Sequence, residues 1–162
     1  MNHEVDTYNP YYESRKNAFD TKLIEINVSP TYSANKELCS KTAYNKEYLF
    51  LLLYYGRQTG YSTWMCHTVE KLNTNKNKVA VLFHNYDMLN HVTNNYHQPC
   101  FVNKNRNKNP YLFNISNNDN VKNFKSQINT FDYIFIDVYM VFPNPLLSYI
   151  FKNFNGTMIV AG

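Results

Sequence analysis

The chain has 162 residues and a mass of 19.2 kDa, a length that suits one domain with a real core. Its net charge of +4 and pI near 8.8 are mildly basic, which permits a nucleic-acid partner without announcing one. The longest apolar run, residues 48–55, is too short to span a bilayer and no apolar leader opens the chain, so the expectation is a soluble, cytoplasmic protein with no membrane partner.

Cys39, Cys66 and Cys100 are few, odd in number and widely spaced, which argues against a disulfide framework or a zinc cluster and predicts reduced thiols. Asn, Lys, Tyr, Phe and Ile are abundant while Gly, Ala, Arg and Pro are scarce. That bias fits a phage, a virus or an AT-rich bacterium and carries no function.

Residues 1–20 are polar with interspersed tyrosines and no clear period, and read as an arm ahead of a single domain over 21–162. Tyr8, Tyr11 and Tyr12 either stack on a base or another chain or, more plainly, pack back onto the domain. Lys22–Val28 alternates like a half-buried strand that Ser29-Pro30 stops, and residues 33–47 hold a short polar helix.

Tyr48–Tyr55 is a continuous apolar and aromatic run, which predicts a central parallel strand. Gly56 and Gly60 then bracket Arg57-Gln58-Thr59, and Ser62-Thr63 opens a helix whose Met65, Val69 and Leu72 fall at i, i+4 and i+7. A strand, a tight loop and a helix start in this order form an anion cradle, because unpaired N–H groups and the positive end of the helix dipole both point at the loop.

Residues 73–77 read as a turn and Lys78–His84 as a second strand, the βαβ grammar of a parallel sheet. A helix is predicted to start at Asp87–Val92, and residues 93–110 form a loop in which Lys104, Arg106 and Lys108 alternate with asparagines. That basic loop either contacts phosphates, with a steep salt dependence, or is simply solvated. His91, His97 and Cys100 lack a fourth ligand or a recognised spacing, so no metal is expected there. A strand follows at Tyr111–Ile115, a helix at Asp119–Ile128, a strand within Phe131–Val138 that ends on Asp137, a helix at Pro143–Phe154 and a last strand at Thr157–Ala161.

Three short patches carry a resemblance, residues 56–63, 131–138 and 157–162. Arg57-Gln58-Thr59-Gly60-Tyr61-Ser62 resembles the R-Q-x-G-K-[ST] loop of tailed-phage terminase large subunits and related helicase-like ATPases, with Tyr61 in place of the lysine and Tyr55 where the P-loop pattern has its first glycine. Phe131–Val138, FDYIFIDV, resembles a Walker B strand with Asp137 as its carboxylate.

The resemblance covers residues 48–162 and implies a three-layer α/β domain of P-loop NTPase type (RecA/terminase-like) with a mostly parallel central sheet. It further implies ATP and Mg²⁺ as ligands, phosphate binding by Arg57, Gln58, Thr59, Gly60, Tyr61, Ser62 and Thr63, and Mg²⁺ shared by Ser62 and Asp137.

Val138 stands where the resembled enzymes place a water-orienting glutamate, and no glutamate follows Glu70. Losing one preorganised catalytic group commonly costs ~10²–10³ in rate. The expectation is therefore a phage or viral nucleotide-binding domain with weak or no hydrolysis, Asp137 being the one candidate catalytic residue. Two alternatives stay open: a catalytically dead relative with a regulatory, interaction or virion role, partnered by another phage or viral protein, and a basic domain that binds DNA or RNA through Lys104, Arg106 and Lys108.

Overall fold

Val79–Phe83 (β2), Tyr133–Ile136 (β4) and Met158–Ala161 (β5) are short apolar runs buried along their whole length. Such runs have no polar side to give to water, so they suit a sheet covered on both faces. The computed structural model, which describes residues 9–56, 58–95 and 111–162, places them at the centre of an all-parallel five-stranded sheet. The order is β1-β5-β4-β2-β3, with Phe50–Leu52 (β1) and Tyr111–Asn114 (β3) at its edges.

The two-residue period of the strands sorts their side chains into two layers. Val79, Val81, Phe83, Phe135 and Val160 meet Phe19 of helix α1 (Pro10–Val28) and Trp64, Met65 and Val69 of α4 (Tyr61–Thr74). Met88 and Leu89 of α5 (Tyr86–Asn95) join that layer. Ala80, Leu82, Ile134, Ile136 and Ile159 meet Phe124 of α6 (Asn118–Gln127) and Leu146, Ile150 and Phe151 of α7 (Asn144–Asn153). The connections β1 to β2 and β2 to β3 run one way across the sheet over the first layer. Those from β3 to β4 and β4 to β5 return over the second. All four crossovers therefore share one hand, as parallel connections do. The fold is a three-layer α/β sandwich.

Three expectations are corrected. Lys22–Val28 is the second half of α1 and not a strand, because Phe19, Leu23 and Ile26 fall at i, i+4 and i+7 on the core side while Ile24 and Val28 face solvent. Helical spacing toward a sheet outweighs the strand preference of the β-branched residues. Pro10 at the first position and the Asn9 side chain, which accepts from Tyr11 N at 2.9 Å, start that helix. It runs through residue 20, where the arm was expected to end, and it buries Arg15 and Phe19.

The strand expected over Tyr48–Tyr55 is formed by Phe50–Leu52 alone, and it lies at the sheet edge, not the centre. The chain enters it from α3 (Lys41–Tyr44) through a wide helical turn at Asn45–Leu49, where Tyr48 packs on Tyr32 and Tyr44. Tyr54 and Tyr55 are exposed beyond it. The aromatic side chains in this run serve the neighbouring helices and not a sheet interior. Residues 33–47, expected to hold one short helix, are divided between the second half of α2 (Pro30–Leu38), α3 and the start of the wide turn.

The elements from residue 61 onward fall where the periodicities put them, within a residue or two, except that α5 runs on to Asn95, three residues into the loop expected from residue 93. The basic positions Lys104, Arg106 and Lys108, together with His97 and Cys100, lie outside the described residues. No helix among the described residues is long and apolar enough to cross a membrane.

Candidate functional site: the loop before helix α4 and the end of strand β4

The carboxyl ends of β4 and β2 are neighbours, yet their chains leave over opposite layers, β2 toward α5 and β4 toward α7. Divergence of this kind opens the crevice in which open α/β sheets bind ligands. Helix α4 points its N-terminus at the same end of the sheet, with Ser62 meeting Asp137 just beyond β4.

The loop before α4 makes its turns with left-handed backbone at Gly56 (φ +106°) and Gly60 (φ +80°). Gln58 also has positive φ, 56°, a conformation that strains a residue with a Cβ. Gly60 is the N-cap of α4 and provides no side chain to satisfy the first-turn amides. Those N–H groups lack acceptors within their own helix, and together with the dipole they suit an anion.

The fold brings Ser62 and Asp137 together: Ser62 Oγ donates to Asp137 Oδ1 at 3.2 Å. Asp137 is held by its own amide, which donates to Leu82 O at 3.0 Å, and its side chain is 4% exposed. Its second oxygen, Oδ2, is buried with no hydrogen-bond partner. Burial pushes this carboxyl up to about 6, against the pull of the Ser62 hydrogen bond and the nearby His91. A buried carboxylate oxygen without a donor is costly, and a divalent cation is one partner that would relieve it. Mg²⁺ characteristically takes one or two carboxylates and completes its shell with phosphate and water, so Asp137 with Ser62 fits that donor set.

Tyr61 occupies the lysine position in sequence but is turned into the fold. Its phenol donates to Ile136 O at 3.0 Å and its ring lies against Trp64 and against Gly162, where an added Cβ would fall 2.2 Å from it. Burial, with Asp137 nearby, raises its pKa well above the ordinary range, so it remains a neutral phenol. Only its backbone amide is left to serve an anion. Thr59 is buried, Gln58 is exposed, and Ser62 and Thr63 are half-buried at the start of α4. Arg57 lies outside the described residues. The late carboxylates Asp132 and Asp119 are engaged elsewhere: Asp132 Oδ2 accepts from Lys78 N at 2.7 Å, and Asp119 sits in the first turn of α6.

The sequence reading missed Arg15. This α1 residue is 1% exposed and reaches beneath the loop, where Nε donates to Leu53 O at 3.2 Å, Nη1 to Thr59 O at 2.6 Å and Nη2 to Thr59 Oγ1 at 2.6 Å. The guanidinium also lies 4.9 Å from the Tyr55 ring centroid and 5.6 Å from that of Tyr61. Its only sequence signal is a place four residues before Phe19 on what proves to be the buried stripe of α1.

Two grooves, of about 510 Å³ beside Tyr44 and Asn45 and about 470 Å³ beside Tyr12 and Trp64, share no lining residue with the Ser62–Asp137 pair. No family model, curated protein or solved structure matches the chain.

Proposed function

We propose that the chain is a P-loop-type nucleotide-binding domain that holds a Mg²⁺-nucleotide, with ATP as the reference ligand, and hydrolyses it slowly or not at all. The observation that carries this reading is the buried, unpartnered Oδ2 of Asp137 opposite Ser62, at the uncapped start of α4. The all-parallel sheet with its crevice at that point supports it. In this reading the amides of Gly60 to Thr63 take the phosphates, and Ser62 and Asp137 take the metal. Bound Mg²⁺ supplies charge neutralisation on the β- and γ-phosphates.

Weak turnover follows from two side chains. The Tyr61 phenol is committed to Ile136 O, so it cannot act as the lysine would, and Val138 has no group to orient a water. Phosphoryl transfer depends on positioning and charge stabilisation, and both are thinned here, whereas binding through backbone amides survives. The same features favour a second reading, a nucleotide-responsive or catalytically dead interaction protein. The DNA- or RNA-binding alternative rests on residues 104–108 and gains no support from the described residues.

Equilibrium dialysis with labelled ATP and Mg²⁺ tests the proposal: retention by the wild type and its loss in Ser62→Ala/Asp137→Ala is expected. Equal retention by both proteins would contradict the site. Steady ATP turnover abolished by Asp137→Ala would overturn the claim of weak hydrolysis.

A further inference from the structure

Arg15 is a buried cation without a formal counter-charge among the groups described around it. Its acceptors are two carbonyls and a hydroxyl, and the Tyr55 and Tyr61 rings lie 4.9 and 5.6 Å from the guanidinium, whose pKa burial lowers. Removing a guanidinium from water costs several kcal/mol unless charge or good hydrogen bonds compensate, and here, among the described residues, hydrogen bonds and the faces of two tyrosine rings do so. All three acceptors belong to the loop that leads into α4. A trans peptide places a carbonyl and the following N–H on opposite sides. Drawing the Thr59 carbonyl onto Arg15 therefore turns the Gly60 N–H away from the guanidinium, and a charged donor polarises that peptide so that its N–H donates more strongly.

We propose that Arg15 is the positioning residue of the phosphate loop: from α1 it fixes the Thr59–Gly60 peptide and supplies positive charge beneath a loop that has tyrosine where the resembled loops have lysine. This inference rests on the phosphate-site reading above. It assigns to the N-terminal helix a part in anion binding, and it makes an inorganic polyphosphate a sufficient probe.

The test is calorimetric titration of tripolyphosphate with Mg²⁺, and separately of adenosine, into wild type, Arg15→Lys, Arg15→Gln and Thr59→Ala. The fold of each is verified by circular dichroism. Arg15→Gln is expected to weaken tripolyphosphate binding about tenfold, as loss of a charge-assisted contact does. The loss should shrink with added salt, recover in part with Arg15→Lys, and be absent for adenosine. A purely structural role would not show the salt dependence or the rescue by lysine. Should Arg15→Gln fail to fold, Thr59→Ala decides, with an expected weakening of about threefold from removal of one acceptor. Unchanged affinity in the folded variants, beside a wild type that binds, overturns the role of Arg15 and leaves the site standing. A wild type that binds no tripolyphosphate overturns both.

Discussion

At the residue scale the account turns on Asp137. Its carboxyl is raised from 3.8 to about 6, chiefly by burial, so in that window the folded state holds a proton that the unfolded chain has released. Stability is therefore greatest below the window and falls as pH rises through it, by roughly 3 kcal/mol at most. Asp137→Asn should remove this decline, melting higher than wild type at pH 7 to 8 and nearly equal to it near pH 4, which thermal denaturation across pH would reveal. A variant with the same pH profile as wild type would show that Asp137 is not the titrating group. Tyr61 offers a second test at this scale. Tyr61→Phe leaves Ile136 O without its phenolic donor and should cost about 1 kcal/mol in chemical denaturation, while leaving nucleotide affinity unchanged, since the proposed site uses only the Tyr61 amide.

At the element scale, α1 is a structural layer of the domain. Phe19 makes ring contacts with Trp64, Tyr133 and Phe135, so Phe19→Ala should cost about 3–5 kcal/mol on urea denaturation. A loss below about 1 kcal/mol would mean that the helix is peripheral. The wide turn before β1 has an anchor of its own: buried Asn45 donates to Phe151 O and Phe154 O at 2.8 and 2.9 Å, closing the C-terminal end of α7. Asn45→Ala should strand those carbonyls and cost about 1–3 kcal/mol, read in the same experiment.

The difference between these N-terminal elements and the later ones explains what could be read in advance. From α4 onward each element is set by its own period, and Val79–Phe83 or Tyr133–Ile136 is apolar enough to be a buried strand in any context. The Ser62–Asp137 pair was legible because a glycine-bounded loop and a strand ending in Asp are local signals. Arg15 and the edge position of β1 were not. Both depend on which element packs beside which, and a polar helix with one short buried stripe gives no local sign of its partner. Tyr61 shows the same limit, since sequence register places it at the lysine position while packing over Gly162 turns its side chain inward.

At the scale of the whole molecule, the sheet order brings three distant segments to one end: the α1 arginine, the loop before α4 and the end of β4. The central claim is that this end binds the phosphates of a nucleotide. Isothermal titration of ATP with Mg²⁺ into the wild type and into Ser62→Ala/Asp137→Ala tests it most directly. The account predicts saturable, metal-dependent binding that vanishes in the double variant. No binding at sub-millimolar affinity, or binding that the double variant retains, would contradict it.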